Sequence, residues 1–247
     1  MGKNVVAVIQ ARTGSTRLPG KVLMDISGRP MLWHVVNRLK SCRELNEVVI
    51  ATTTGKNDDV IEKYCRENGI KFYRGSEDDV LDRYYRASME NGADIVVRIT
   101  SDCPLIDPGV VDKVIREYRK REESFDGACN TIERTYPRGL DTEVISFSAL
   151  EKAHAGADRS YHREHVTTYI YEHPGIFNML NVRNEEDLSP LRWTVDEEKD
   201  LQFVREIYTR LYDPARNFSM EDVVNVLRKE PHLQKINAGV KQKVILK

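Results

Sequence analysis

The run Asn4-Val-Val-Ala-Val-Ile-Gln10 is apolar without alternation and of strand length, the pattern of a strand buried on both faces. Ala11 to Lys21, rich in Gly, Ser, Thr, Pro and Arg, reads as a loop. From Pro30 onward, Met31, Leu32, Val35, Val36 and Leu39 recur at helical spacing. Val48 to Thr52 is a second buried strand. A helix marked by Val60, Ile61, Tyr64 and Cys65 closes at Asn68-Gly69, and Ile70 to Tyr73 is a short strand. Val80, Leu81, Tyr84 and Tyr85 mark a helix that ends at Asn91-Gly92. A strand then spans Asp94 to Thr100, and Val110, Val111, Val114, Ile115 and Tyr118 mark a helix after Pro108. Strands alternating with helices build βαβ units and a mostly parallel twisted sheet flanked by helices.

Past Phe125 the alternation stops. Gly127 to Thr131 and Thr142 to Phe147 read as strands with no long helix between them. Ala149 to Ala157 and His162 to Glu172 read as helices, and Ile176 to Val182 as an extended segment. Leu201, Val204, Ile207, Tyr208 and Leu211 mark one more helix, and Val223, Val224 and Leu227 another. The tail from Ala238 to Lys247 reads either as an added strand or as a frayed end. No repeat or linker divides the chain, so residues 1–247 are expected to form one α/β domain with an elaborated second half.

Composition narrows the classes. Lys and Arg total 38 and Asp and Glu 39, a net charge of -1, which argues against a general nucleic-acid binder. No apolar run reaches the ~18–20 residues of a membrane span, and Val5 to Ile9 is too short for a secretion signal, so a cytoplasmic location is expected. Cys42, Cys65, Cys103 and Cys129 form no Cys-x-x-Cys pair and are read as free thiols.

The chemistry concentrates at the carboxyl edge of the expected sheet, where α/β proteins bind ligands. The loop Ala11-Arg-Thr-Gly-Ser-Thr-Arg-Leu-Pro-Gly-Lys21 carries Arg12, Arg17 and Lys21 and no acid. Its cations, hydroxyls and backbone amides suit a polyphosphate. It is not a Walker A loop, because five residues separate Gly14 from Gly20 and Val22 follows Lys21. The dinucleotide pattern Gly-x-Gly-x-x-Gly is also absent.

This loop, with Ile99-Thr-Ser-Asp-Cys-Pro-Leu105, Arg163-Glu-His-Val-Thr167 and Arg192-Trp-Thr-Val-Asp196, resembles the cytidylyltransferases that make CMP-sugar acids. Within them it is most similar to the spore coat polysaccharide biosynthesis protein F type. The resemblance spans nearly the full chain and implies a glycosyltransferase-A-like fold. It also implies transfer of CMP from CTP to a sugar, expected to be a 2-keto sugar acid, with release of pyrophosphate, and a homodimer. Residues 1–125 would then form the nucleotide-binding half, and 126–247 the acceptor-binding and dimerising half.

Candidate residues follow. Asp102 closes the strand beside the basic loop, where a carboxylate can hold Mg²⁺ together with substrate phosphates. The competing role is a turn or helix cap. The family pattern makes it a metal ligand, and Asp196 a second one, although Asp196 also precedes a helical stripe it could cap. Asp200 reads as surface or cap. Nucleotide contacts are expected from Ala11, Arg12, Thr13, Gly14, Ser15, Arg17, Lys21, Thr52 and Thr100, with Arg12, Lys21, Asp102 and Asp196 closest to the chemistry. By resemblance Arg74 faces the cytosine edge and Gly75 permits close approach, against ordinary turn and capping roles for that segment. Arg138, Arg163 and His165 are acceptor candidates, the arginines for a carboxylate. Rival readings are a nucleotidyltransferase with another base or a non-sugar acceptor, and an inactive nucleotide-binding protein. A glycosyltransferase is disfavoured by the lack of any Asp-x-Asp.

Overall fold

The computed structural model describes residues 2–242. Its strands are β1 (Val5–Gln10), β2 (Asp25–Ile26), β3 (Arg29–Pro30), β4 (Glu47–Thr53), β5 (Lys71–Gly75), β6 (Ile95–Thr100), β7 (Gly127–Cys129), β8 (Glu143–Ser146) and β9 (Met179–Asn181). The helices are α1 (Met31–Leu39), α2 (Asp59–Glu67), α3 (Val80–Glu90), α4 (Pro108–Arg119), α5 (Phe147–Gly156), α6 (Ser160–Glu164), α7 (Thr168–Glu172), α8 (Glu198–Leu211) and α9 (Met220–Lys229).

Seven strands form one sheet in the order β5-β4-β1-β6-β8-β7-β9. The β5-β4-β1-β6 block is parallel throughout, as the alternating pattern predicts. β8 then runs antiparallel to both β6 and β7, and β9 pairs parallel to β7. The chain steps from β1 out to β4 and β5, then returns to place β6 on the other side of β1. That reversal is a topological switch point, and it opens a crevice at the carboxyl ends of β1 and β6.

The unbroken apolar run of β1 has a direct structural reason. Val5, Ala7 and Ile9 pack with Leu32, Val35, Ile61, Val111 and Val114 beneath one face. Val6 and Val8 pack with Leu81, Tyr84, Ala149 and Leu150 on the other. A third cluster surrounds Trp193 with Leu201, Val204, Ile207 and Tyr208 of α8 and Val223 and Leu227 of α9. Each aliphatic side chain buried in this way contributes about 1.5–3 kcal/mol.

Two features differ from the pattern reading. Residues 162–172 are not one helix: α6 and α7 are separated by Val166, whose φ is +52°. Thr167 and Tyr171 turn their hydroxyls onto the buried Glu143 carboxylate, and Val166 packs into the core, contacts a continuous helix would forgo. The hairpin β2–β3 has no apolar period to announce it. In the tail, residues 238–242 hold no strand, and 243–247 lie outside the described residues.

His34 of α1 donates from Nε2 to the Ile26 carbonyl at 2.7 Å and lies edge-on to Tyr208. Burial pulls its pKa down from 6.5 to about 4. Between those values protons bind the unfolded chain preferentially. The stability His34 contributes is therefore complete above about pH 6.5 and is lost as pH falls toward 4, a total loss of about 3 kcal/mol. Urea melts at a series of pH values should show this loss, and His34→Gln should remove it; an unchanged slope in the variant refutes the assignment.

Candidate active site

The basic loop leaves the crevice end of β1. Ala11 extends the ladder, its N–H donating to the Ala51 carbonyl at 3.1 Å. The Thr13 carbonyl accepts the N–H groups of Ser15 and Gly20, both at 2.9 Å, which folds the loop back on itself. Gly20 sits at φ +70°, a conformation that suits glycine, and starts the 3-10 turn carrying Lys21. The loop is tethered from outside by Asp58, whose Oδ1 accepts both the Thr13 N–H and the Thr13 hydroxyl at 2.7 Å. Asp58 Oδ2 accepts the Thr53 hydroxyl at the end of β4. Asp58 is a positioning group that no sequence motif marked.

Lys21 is buried and points inward. Its Nζ donates to Asp102 Oδ2 at 2.9 Å, Asp196 Oδ1 at 3.2 Å and the Val195 carbonyl at 2.6 Å. Burial alone would depress the lysine, but the two carboxylates outweigh it and its pKa is raised. Burial likewise works to raise Asp102. Lys21 and the Thr100 hydroxyl, 2.6 Å from Asp102 Oδ1, reverse that and hold the carboxyl below its ordinary value.

Asp196 is built into a frame. Arg192 Nη2 donates to Asp196 Oδ2 at 2.7 Å, while the same guanidinium forks onto Asp200 at 2.9 and 3.1 Å. Asp200 also accepts the N–H groups of Asp196 and Glu197, and the Asn237 amide. Asp200 does cap α8, as the spacing suggested, but it is fully buried rather than on the surface. Arg17 Nη2 makes a third cationic contact to Asp196, at 2.9 Å. The Val195 N–H donates to the Asp102 carbonyl at 2.8 Å, so the two aspartate segments are directly joined.

Arg138 belongs to the neighbouring loop. Its N–H donates to the Leu191 carbonyl, and its carbonyl accepts the Trp193 N–H. Gly139, at φ +109°, lets this loop lie against Trp193 and Thr194, because a Cβ there would be 2.6 Å from the Thr194 nitrogen. Arg98, Arg134 and Arg192 are each bound to carboxylates, on Glu143, Asp141 and the Asp196–Asp200 pair. Among the described residues the Arg138 guanidinium has no such bond, and burial lowers its pKa.

The other candidates are placed elsewhere. Arg74 has every donor edge engaged, by the Thr53 and Gly55 carbonyls and by Glu62 and Asp59. Gly75 does permit a close approach, but by the stem of Arg83, whose Cγ would lie 2.8 Å from an added Cβ. Arg83 itself is buried, donates to the Ser76 carbonyl, and leaves Nε unpaired among the described residues. No motif singled it out. Thr52 is buried at the end of β4 with a hydroxyl that is unpaired among the described residues. Arg12 is exposed and contacts Glu77 Oε1 at 3.2 Å, beside Gly14. Arg163 forks onto Asp79, the N-cap of α3, at 2.6–3.0 Å. His165 caps α6. The four cysteines are free and buried. Among the described residues no helix is long and apolar enough to cross a membrane.

A family model described as Cytidylyltransferase matches residues 6–235. An uncharacterized protein of Methanocaldococcus jannaschii is 38% identical over 241 residues, covering 97% of this chain and 96% of that one. The spore coat polysaccharide biosynthesis protein SpsF of Bacillus subtilis is 28% identical over 235 residues, 92% of this chain and 95% of its own. A solved cytidylyltransferase from Leptospira borgpetersenii superposes with a TM-score of 0.90 at 32% identity, covering 99% of this chain and all of that one. A CMP:2-keto-3-deoxy-manno-octonic acid synthetase complexed with CTP, at 21% identity and a TM-score of 0.64 over 84% of this chain and 99% of its own, shares the fold. On these matches, which run almost end to end, the chain belongs to the cytidylyltransferase family.

Proposed function

We propose that the chain transfers CMP from CTP to a hydroxyl of an acidic sugar and releases pyrophosphate. The observation that carries this reading is the convergence of Lys21, Asp102 and Asp196 at the open end of β1 and β6. Arg12, Arg17 and Lys21 bind the triphosphate and neutralise the departing pyrophosphate. Of the loop amides from Ala11 to Ser15, those of Arg12 and Gly14 are not engaged by another group among the described residues and are the ones that would face the same anion. Thr52 and Thr100 line the nucleotide side. Arg74, engaged by Glu62 and Asp59, acts by shaping the β4–β5 end of that pocket rather than by donating to the base. The acceptor oxygen attacks the α-phosphorus, the bond to pyrophosphate breaks, and the hydroxyl proton is released. Positioning and charge neutralisation account for most of the rate in such transfers.

The two aspartates suit Mg²⁺. They already converge on one cation, the Lys21 ammonium, and Mg²⁺ commonly takes one or two carboxylates with phosphates completing its shell. When bound, Mg²⁺ would supply Lewis-acid neutralisation of phosphate charge. Arg138, lacking a carboxylate bond among the described residues and joined through the backbone to the Asp196 segment, supports an anionic acceptor.

Pyrophosphate release tests the proposal, with CTP, UTP, GTP or ATP offered alongside acidic and neutral sugars, with and without Mg²⁺. Release is expected only with CTP, an acidic sugar and Mg²⁺. Release with a neutral alcohol alone, or a CTP-induced melting shift without turnover on any acidic sugar, would replace this reading by one of its rivals.

A further inference from the structure

We propose that Lys21 and a divalent cation are alternative occupants of the Asp102–Asp196 pair, so that the metal enters only as a triphosphate draws Lys21 away. The inference rests on the metal reading above and concerns how that site fills.

Lys21 satisfies its three ammonium protons with three acceptors, Asp102 Oδ2, Asp196 Oδ1 and the Val195 carbonyl. It thus stands at the point where the two carboxylates converge. A divalent ion would need oxygens at about 2.0–2.1 Å from that same region. Two cations sharing these oxygens at contact distance would repel strongly in a buried setting. The ion must therefore displace the ammonium, and a buried ammonium cannot leave its carboxylates without another anion to receive it.

The same loop supplies a second removable cation. Asp196 Oδ2 is held by both Arg17 and Arg192. Arg192 is tied back by its fork onto buried Asp200. Among the described residues Arg17 has only looser contacts beyond Asp196, to Glu197 at 3.5 Å and the Lys241 carbonyl at 3.4 Å, and is partly exposed. Lys21 and Arg17 lie on the triphosphate loop, whereas Arg192 does not. A triphosphate seated on the loop would recruit both loop cations and leave each aspartate with a vacated oxygen. Arg192 would still fix the Asp196 carboxylate in place. Metal and nucleotide then favour each other's binding by the same factor. In the absence of nucleotide the chain's own cations keep the carboxylates neutralised and the site assembled.

The test is Mn²⁺ binding to the full chain without nucleotide, read from the loss of the free Mn²⁺ paramagnetic resonance signal. Wild type should bind weakly. Lys21→Gln should bind at least about tenfold more tightly, while Lys21→Arg, which keeps the charge, should stay weak. Arg17→Gln, altering a partly exposed side chain, should give a smaller gain of about threefold and serves if Lys21→Gln does not fold. Adding Asp102→Asn to either tightened variant should abolish the gain. Equal Mn²⁺ affinity in wild type, Lys21→Gln and Arg17→Gln, lost on Asp102→Asn, would overturn the exchange while leaving the metal site intact. Absence of Mn²⁺ binding in all of them, with full turnover in excess chelator, would instead overturn the metal reading and the exchange with it.

Discussion

Asp102→Ala is expected to lower kcat for pyrophosphate release by at least about 10³-fold while leaving the fold intact. The side chain ends β6 at the switch point and is bound to Lys21 and the Thr100 hydroxyl, so it supports no apolar cluster. Its removal leaves Lys21 with Asp196 and the Val195 carbonyl as partners, which limits the structural damage. The functional loss should fall on kcat more than on the KM for CTP, because the loop cations that hold the triphosphate remain. A melting temperature within a few degrees of wild type, together with the lost turnover, is the expected pair of results. Wild-type turnover in Asp102→Ala would remove this carboxylate from the mechanism. Asp102 also has a pH signature. Its lowered pKa means that the stability it contributes is present above about pH 4 and disappears as pH falls through the folded value.

The largest loss of stability is expected from Arg98→Met. Arg98 lies on β6, paired with Glu143 of β8, and its Nη2 reaches Gln10 Oε1 at 3.3 Å. Glu143 is buried and also accepts from the hydroxyls of Thr167 and Tyr171. Removing the guanidinium leaves that carboxylate buried with neutral partners alone, a change that costs about 3–5 kcal/mol. For a domain of this length that corresponds to a fall in melting temperature of roughly 10 °C. The double variant Arg98→Met/Glu143→Leu should recover part of the loss, since no uncompensated charge remains. Chemical denaturation of the single and double variants measures both effects. A single variant within about 1 kcal/mol of wild type would show that water reaches Glu143 and that the pair matters little to the fold.

Both variants act where β6 meets its neighbours, and neither partner of Asp102 or Arg98 could be read from its local sequence. Lys21 and Asp102 stand 81 residues apart, and Lys21 and Asp196 stand 175 apart. Each segment showed its own chemistry: cations after a buried strand, an acid at a strand end, an acid before a helix. Their meeting depends on the strand order, which puts β6 beside β1. The same dependence explains the residues that pattern reading passed over. Asp58 belongs to no motif of its own, and only the folded loop brings it against Thr13. Arg83 likewise belongs to no motif, and only the close approach of Gly75 shows that its stem is enclosed.

What the sequence determined by itself was whatever rests on short-range periodicity. The two-sided burial of β1 and the helical stripes of α1, α3, α4 and α8 follow from side chains within one or two turns of each other. So does the cationic loop that must follow β1 at the carboxyl edge of a parallel sheet. The tertiary structure alone decided what depends on unlike segments meeting. It engaged Arg74 and Arg163 with carboxylates and, among the described residues, left Arg138 without one. It broke the helix over 162–172 at Val166, because Glu143 draws in Thr167 and Tyr171. It also buried Asp200 beneath Arg192 to hold Asp196. A charge carries no period, and the partner that neutralises it is chosen by packing across the whole fold.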